Sequence, residues 1–359
     1  MKKRNIIIIA VVAVVGIVAL IVALHGSRKA TFKQDFHIAD TSTVTRIFLA
    51  DKQDHEVLLT RIDDSLWVVD NQYPANEPMV ALFLETLNSM RIRQQVNRNA
   101  VPTIIKDLSA KAIKVEVYQR VPLIDWFGGK VRLFPRERLT ATYYVGRETQ
   151  DMLGSYMYRD GDKVPCVIHI PGFRGFPTPR FVTDPLKWRS HKIVDLNVGQ
   201  IERVELEIPA SPEESFAVVR TPEGFDMELL APRQRVPAFD TARMKLFLAS
   251  FTRLNFDEFA SIVPHALTDS CLAMAPRTIL RITDTAGTTH LLSTYIKYTN
   301  PEDMEFITDP EMYETFDVNR LYAIIDQKDT VLIQYHVFDN ILQPASYFLG
   351  REKTNDAAQ

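Results

Sequence analysis

Ile201-Glu202-Arg203-Val204-Glu205-Leu206-Glu207-Ile208 is the stretch from which the fold of this 359-residue chain can be inferred. From Val204 onward its apolar and charged residues alternate, which predicts a β-strand with one buried and one solvent-facing side. A similar strand occupies residues 44–49, Val-Thr-Arg-Ile-Phe-Leu, about 160 residues earlier. Because recurrence at a fixed distance indicates an internal repeat, the two strands predict two related units.

The same series of elements follows each of these strands. Two further short strands come at hairpin spacing, and an amphipathic helix with a period of 3.6 residues comes next. In the first unit these elements are residues 56–61, residues 66–69 and a helix that begins at Pro78. In the second unit they are residues 215–220, residues 224–227 and a helix capped by Asp240. The two helices align at Leu82-Phe83-Leu84 and Leu246-Phe247-Leu248.

The second halves of the units agree more loosely. The matching strands are residues 113–118 with 278–282, residues 140–145 with 290–296, and residues 164–170 with 330–337. The pattern predicts an α+β fold, in which an N-terminal transmembrane helix precedes two repeated units of antiparallel β-sheet with a packed helix. The predicted organisation is a cytoplasmic stub and anchor (1–29), a first unit (30–195), a second unit (196–349) and a disordered tail (350–359). The alternative is that two unrelated meandering α+β domains resemble each other by chance.

An apolar run without charge begins at Ile6 and ends at Leu24. As a helix it is about 30 Å long, which matches the hydrocarbon core of a bilayer. Lys2, Lys3 and Arg4 give the N-terminal side the larger positive charge, which predicts a cytoplasmic N-terminus, an inner-membrane anchor and a body in the periplasm. The alternatives are a cleavable signal peptide, against which the length of the run argues, and a buried core helix.

Composition excludes several functional classes. The formal net charge of −3 argues against a nucleic-acid-binding protein, which needs a clustered basic face. The two cysteines, Cys166 and Cys271, form no metal-binding motif, and a disulfide between them is permitted in an exported body but not predicted. The histidines are scattered, although His169 and His336 are predicted to lie in strands at equivalent positions of the repeat. The sequence therefore predicts no catalytic residues, no metal ligands and no cofactor.

Several segments together resemble one protein family. They are Tyr143-Tyr144-Val145-Gly146, Gly154-Ser155-Tyr156-Met157, Ile170-Pro171-Gly172-Phe173, Trp188-Arg189 and the strand that starts at Ile201. In this combination the chain resembles the domain-of-unknown-function 4340 family in its Bacteroidetes form, from about Asp35 to about Arg220. The resemblance implies a single-pass envelope protein without an assigned activity, and it suggests an association with auxiliary components of ABC transporters. The family provides no catalytic residues that could be transferred to this chain.

One departure from the family pattern is an insert at residues 119–138, in which aromatic and basic residues surround a Gly-Gly turn. Its candidate interaction residues are Trp126, Phe127, Lys130, Arg132, Phe134 and Arg136. Three interpretations stay open: the hairpin docks on a protein partner, it dips into a lipid headgroup region, or it folds back on its own unit. The loop at residues 171–177 is a second candidate surface, with Phe173, Arg174 and Phe176, and a structural connector is its alternative role.

The sequence favours a membrane-anchored, exported protein that acts without catalysis, as an accessory component of an envelope assembly. Its expected partners are the lipid bilayer, through the run from Ile6 to Leu24, and an envelope protein, but not a nucleic acid. The alternative is a periplasmic module that binds a small or glycan ligand in the cleft between the two units. A hydrolase with a non-standard site is a third hypothesis, and it requires convergent Asp, Glu or His side chains in one pocket.

Overall fold

The computed structural model of the chain describes Gly16 and residues 36–126, 131–262, 267–299 and 316–350. The predicted membrane span lies outside these ranges apart from Gly16, and so does the predicted tail apart from Gly350. Within the described ranges, we find no helix of sufficient length and hydrophobicity to cross a membrane. The chain divides into two compact units between Ser190 and His191, close to the predicted division at 195–196.

Each unit contains one large sheet. The strands of the first unit are β1 (Val44–Ala50), β2 (Glu56–Arg61), β3 (Trp67–Val69), β4 (Tyr73–Pro74), β5 (Arg91–Gln95), β6 (Ile113–Trp126), β7 (Val131–Glu148), β8 (Ser155–Arg159) and β9 (Cys166–His169). Those of the second unit are β10 (Lys192–Val194), β11 (Ile201–Glu207), β12 (Phe216–Thr221), β13 (Gly224–Leu230), β14 (Arg233–Val236), β15 (Leu254–Asn255), β16 (Glu258–Phe259), β17 (Thr278–Asp284), β18 (Thr289–Tyr298), β19 (Phe316–Ile325) and β20 (Asp329–Gln334).

The described helices are short. In the first unit they are α1 (Glu77–Ser89), α2 (Val101–Lys111) and α3 (Pro185–Trp188). In the second unit they are α4 (Thr241–Ala249), α5 (Thr268–Leu272), α6 (Tyr335–Phe338) and α7 (Ala345–Phe348). The described chain is therefore mostly β-sheet with some helices.

The two large sheets have the same order of strands. The first runs β4-β3-β2-β1-β6-β7-β8-β9-β5, and the second runs β14-β13-β12-β11-β17-β18-β19-β20-β16. The pairings in both sheets are antiparallel, which confirms the antiparallel sheets of the predicted fold. The register also corresponds, because Val117 lies opposite Ile47 in β1 and Ile282 lies opposite Val204 in β11. Strands β10 and β15 form a separate two-stranded sheet in the second unit.

Helices α1 and α4 occupy equivalent places in the two units. In α1, Phe83 is buried against Phe181 and Trp188, while the neighbouring Leu82 is 45% exposed. In α4, Phe247 is buried against Phe216 and Phe348, and Leu246 is 57% exposed. The aligned residues of the two helices thus have the same environments, because apolar residues at helical spacing bury only one face.

The N-cap residue of each main helix donates a backbone hydrogen bond to a carbonyl near the end of its own unit. The carboxylate of Asp240 accepts hydrogen bonds from the backbone N–H groups of Ala242 and Arg243, at 2.9 and 3.0 Å, so it is the cap that the sequence predicted. Its own N–H donates to the carbonyl of Phe348 at 2.8 Å. At the cap of α1, the N–H of Asn76 donates to the carbonyl of Trp188 at 2.7 Å. Each unit therefore closes with a segment that returns to the start of its main helix.

The opposite face of each sheet carries a second helix that the sequence pattern did not predict. Helix α2 packs Ile104 and Leu108 against Val167 of β9. Helix α5 packs Cys271 against Leu332 of β20. Cys166 and Cys271 are both buried free thiols.

Candidate interaction site

The insert of the first unit forms a two-stranded ribbon that extends beyond the sheet. Strand β6 pairs with β7 from Ile113 to Trp126, but its pairing with β1 ends at Gln119. Strand β8 joins the other side of β7 only from Tyr143 onward. No described strand therefore flanks residues 120–137, which we call the ribbon. At about 3.3 Å per residue, its seven-residue arms extend roughly 23 Å past the sheet.

The base of the ribbon is fixed to strand β1 by side chains. The carboxylate of Glu137 accepts a hydrogen bond from the hydroxyl of Thr45 at 2.9 Å and forms an ion pair with Arg46 at 2.8 Å. The side-chain amide of Gln119 donates to the hydroxyl of Thr43 at 2.7 Å and accepts from the hydroxyl of Thr140 at 2.6 Å. These contacts set the direction in which the ribbon leaves the sheet.

One face of the ribbon is apolar beyond its first cross-strand pair, which is Arg120 with Glu137. Residues 122, 124 and 126 of β6 share a face because side chains alternate along a strand. Their cross-strand partners are on the same face, and the three pairs are Pro122 with Pro135, Ile124 with Leu133, and Trp126 with Val131. Leu133 is 43% exposed. An isolated two-stranded ribbon gains little from its own pairing, so an exposed apolar face indicates a surface for contact.

The ribbon is also basic. Residues 119–138 contain five basic and two acidic residues, a formal net charge of +3 in a chain whose total is −3. Arg120, Arg136 and Arg138 are exposed, and none of them has an ion-pair partner among the residues that the structure describes. Phe134, 64% exposed with a φ of 55°, is the most exposed large apolar side chain of the described ribbon.

The second unit has no such ribbon at the equivalent place. Its hairpin turns directly after Asp284, the residue that corresponds to Gln119 in register. The Asp284 carboxylate accepts hydrogen bonds from the N–H groups of Ala286 and Thr288, at 2.9 and 2.8 Å, which stabilises the short turn. The same sheet is therefore complete without a ribbon, and the ribbon is an addition to the first unit.

The predicted interaction residues of the insert belong to this ribbon. Trp126 ends β6, Arg132 lies in β7, and Phe134 and Arg136 are exposed. Phe127 and Lys130 lie outside the described residues, as do the side chains of Trp126 and Arg132. Sequence reasoning missed the exposed Arg120, Leu123, Leu133 and Arg138. The apolar residues on both sides of Gly128-Gly129 could have identified the arms of the hairpin, but not that the arms lack neighbouring strands.

The second predicted surface is the loop at residues 171–177, in which the ring of Phe173 contacts other residues of its own unit. Phe173 is 43% exposed, and the guanidinium of Arg180 lies 4.7 Å above its ring. Gly172 and Gly175 have positive φ values of 80° and 156°. A Cβ at Gly175 would lie 2.7 Å from the ring of Phe173, so the turn and the ring are in close contact. Arg174 is exposed and Phe176 is half-buried.

A comparison with protein families matches residues 67–270 of the chain to a domain of unknown function (DUF4340). The match begins in β3 of the first unit and ends in α5 of the second, so it contains the ribbon and the 171–177 loop. The chain belongs to the DUF4340 family. Searches of curated proteins and of solved structures gave no significant match to this DUF4340 protein.

The DUF4340 protein also has two adjoining hollows in its second unit. The larger, about 490 Å³, is lined by Asp317, Asn319, Arg320, Gln334 and His336. The smaller, about 300 Å³, is lined by Arg253, Asn255, Phe256, Asp257, Gln334 and Val337. The expectation that His336 lies in a strand was wrong, because it lies in helix α6 and the equivalent of His169 in register is Gln334.

The two carboxylates of these hollows are engaged in ion pairs. The Asp257 carboxylate forms an ion pair with Arg320 at 2.9 Å and accepts a hydrogen bond from the Gln334 amide at 2.9 Å. Partial burial raises the pKa of Asp317, but hydrogen bonds from the Lys297 ammonium and from backbone N–H groups outweigh it and lower that pKa overall. The Asp317 carboxylate is therefore held ionised, and both carboxylates are acceptors in fixed pairs. Within the described ranges, no group of three His, Cys, Asp or Glu residues is placed to hold a metal ion.

Proposed function

We propose that this DUF4340 protein is a non-catalytic interaction component of a cell-envelope assembly, anchored in the inner membrane by the run from Ile6 to Leu24, and that its ribbon docks on a partner protein. The observation that carries the proposal is the ribbon itself. It extends past a sheet that is complete without it, and it presents an apolar face together with unpaired arginines. Its large apolar and arginine side chains are the types that anchor protein interfaces.

The backbone of the ribbon favours docking through a face and not through an edge. Pro122 and Pro135 lie opposite each other, and proline has no N–H to offer to an added strand. The two prolines therefore interrupt strand addition at the middle of the ribbon, and the apolar face is left as the contact surface.

The distribution of charge favours a protein over a lipid surface. The basic residues extend from Arg138 at the base of the ribbon to Lys130 at its turn. A hairpin that inserts its tip into a bilayer needs its cations near the tip, at the level of the lipid phosphates. Cations along the whole length support a side-on contact with an acidic protein surface.

The test is crosslinking of the full-length protein in its native membranes. In the main variant, the short turn 284–288 of the second unit replaces residues 119–138, so that the first unit receives a hairpin that the fold already accommodates. We expect the set of crosslinked proteins to be lost and the melting temperature to stay within about 2 °C of the wild type. The same crosslinked set in the variant would show that the ribbon is not the docking element.

Two double variants test whether the exposed apolar side chains of the ribbon make the contact. The pair Leu133→Ser and Phe134→Ser removes exposed apolar groups from the ribbon, and Leu82→Ser with Leu246→Ser removes comparably exposed groups from the two main helices. We expect the crosslinked partner proteins to be lost in the Leu133→Ser, Phe134→Ser variant and kept in the Leu82→Ser, Leu246→Ser variant. A photo-crosslinker at position 134 that captures lipid instead of protein would support the membrane interpretation and contradict the proposal.

The anchor has its own test. Alkaline phosphatase fused after residue 350 is active only outside the cytoplasm, so we expect an active fusion that resists extraction from membranes at alkaline pH. Deletion of residues 6–24 is expected to abolish both properties. An inactive fusion with the run intact would contradict the proposed orientation.

A further inference from the structure

The ribbon requires a partner surface that is both acidic and apolar, and the chain itself contains such a segment. Residues 302–317 read EDMEFITDPEMYETFD and contain seven carboxylates and no basic residue. Apolar residues lie between these charges, as apolar residues lie between the cations of the ribbon. All but Phe316 and Asp317 lie outside the described residues. The two segments are therefore complementary in charge and similar in apolar content.

The acidic segment is an addition to the second unit, as the ribbon is to the first. It connects β18 to β19, whose ends are paired because Tyr298 lies opposite Phe316. The equivalent connection of the first unit, between β7 and β8, needs only residues 149–154. Residues 299–315 are thus much longer than the geometry of the turn requires, since most such connections have about 2–6 residues. Neither addition is needed to complete its own sheet.

The described end of the acidic segment is open for contact. Phe316 is 47% exposed and Val318 is 50% exposed at the start of β19. Asp317 is paired with Lys297 at 2.9 Å. Residues 302–314 before it contain six further carboxylates.

We infer that the ribbon of one copy binds the acidic segment of a second copy, and that the exchange is reciprocal. Each chain carries both halves of the contact, so two chains satisfy both contacts at once in a closed two-fold dimer. This inference rests on the proposed function, because it names the partner of the ribbon within an assembly. Charge pairs at an interface are screened by salt, with a Debye length of about 10 Å at 0.1 M. The dimer is therefore expected to dissociate as salt is raised.

The experiment is sedimentation of the purified full chain in detergent, over a range of protein and salt concentrations. We expect a dimer at low salt and a monomer at high salt. One variant reverses the ribbon with Arg120→Glu, Arg136→Glu and Arg138→Glu. The matched variant reverses the segment with Glu302→Lys, Asp303→Lys, Glu305→Lys, Glu311→Lys and Glu314→Lys, which changes its formal net charge from −7 to +3. Each variant alone is expected to be a monomer at low salt, with an unchanged melting temperature.

Mixing the two variants is the decisive measurement. The reversed ribbon of one chain then meets the reversed segment of the other, and the two unchanged halves also match, so a heterodimer is expected. A wild-type chain that is monomeric at every concentration would overturn the inference, and so would variants that still dimerise or fail to pair when mixed. If the purified chain is monomeric but the turn replacement still removes crosslinked partners from membranes, the self-association fails and the proposed function stands.

Discussion

His191 is a half-buried histidine with an unusual set of neighbours. Its ring stacks on Phe256 with centroids 4.6 Å apart, meets Phe259 edge-on, and lies 3.8 Å from a carboxylate oxygen of Glu258. Its Nε2 is buried and has no hydrogen-bond partner among the described residues. Burial lowers the pKa of His191, and the nearby carboxylates of Glu258 and Asp257 only partly oppose this effect. The imidazole is therefore neutral in the folded protein near neutral pH.

The lowered pKa predicts a loss of stability in mild acid. As the pH falls below about 6.5, the unfolded imidazole binds a proton before the folded one does, so the free energy of unfolding decreases. His191→Phe keeps the aromatic stack and cannot bind the proton. We expect urea unfolding to show that the wild type loses stability relative to this variant between pH 7 and pH 5, while their difference is constant above pH 7. A difference that does not depend on pH would contradict the lowered pKa.

Among the elements, helix α2 lies so close to the sheet that it requires a glycine beneath it. A Cβ on Gly146 of β7 would lie 2.6 Å from Cδ2 of Leu108 and 3.0 Å from the carbonyl oxygen of Tyr156. Leu108 is itself buried in the cluster that α2 forms with β9, so its side chain has little room to move. Gly146 is also the last residue of the Tyr-Tyr-Val-Gly segment, which carries part of the family resemblance. Its contact with α2 gives a physical reason for a glycine at this position.

Gly146→Ala should therefore destabilise the protein by about 1–3 kcal/mol, the usual cost of overpacking a core. A double-mutant cycle with Leu108→Ala tests the cause. If the contact is responsible, the double variant is less destabilised than the sum of the two single variants, because the smaller side chain makes room for the added methyl group. Additive free energies of unfolding would show that the helix does not press on this position.

At the scale of the whole molecule, each unit has its own core and contains one buried thiol. Cys166 lies in the first unit and Cys271 in the second, and both have 0% exposure. Burial, with a smaller contribution from the Asp162 carboxylate, raises the pKa of Cys166 to about 11, so its thiol is protonated as well as inaccessible at neutral pH. The two thiols can report the unfolding of the two units separately.

We expect neither thiol to react with an aromatic disulfide reagent in the native protein, and each to react when its unit unfolds in urea. Phe83→Ala removes a fully buried ring from the first unit, at a cost of about 3–5 kcal/mol. It should lower the urea midpoint for labelling of Cys166, measured by mass spectrometry, and leave that of Cys271 unchanged. Phe247→Ala should have the opposite effect. Midpoints that move together in both variants would show that the units unfold as one.

Much of this fold was accessible from the sequence. Alternation in residues 44–49 and 201–208 identified the first strand of each unit, and the apolar periodicity around Phe83 and Phe247 identified the main helices. The exposed positions of Leu82 and Leu246 were not predicted. The strand and helix predictions depend on local spacing, which is the same in the sequence as in the structure. Asp240 was predicted as a cap for the same reason, because a carboxylate before an apolar helical pattern satisfies the first free N–H groups.

Other features became visible only in the tertiary structure. Helix α2 is only 11 residues long, so its few turns give a weak helical signal in the sequence, and the sheet against which it packs stabilises it. Strand β5 follows α1 in the chain but pairs with β9, more than 70 residues later, and no local pattern specifies such a pairing. The same holds for the ribbon. Its sequence predicted a hairpin with interaction residues, but its availability depends on where β1 and β8 stop pairing, which is a property of the assembled sheet.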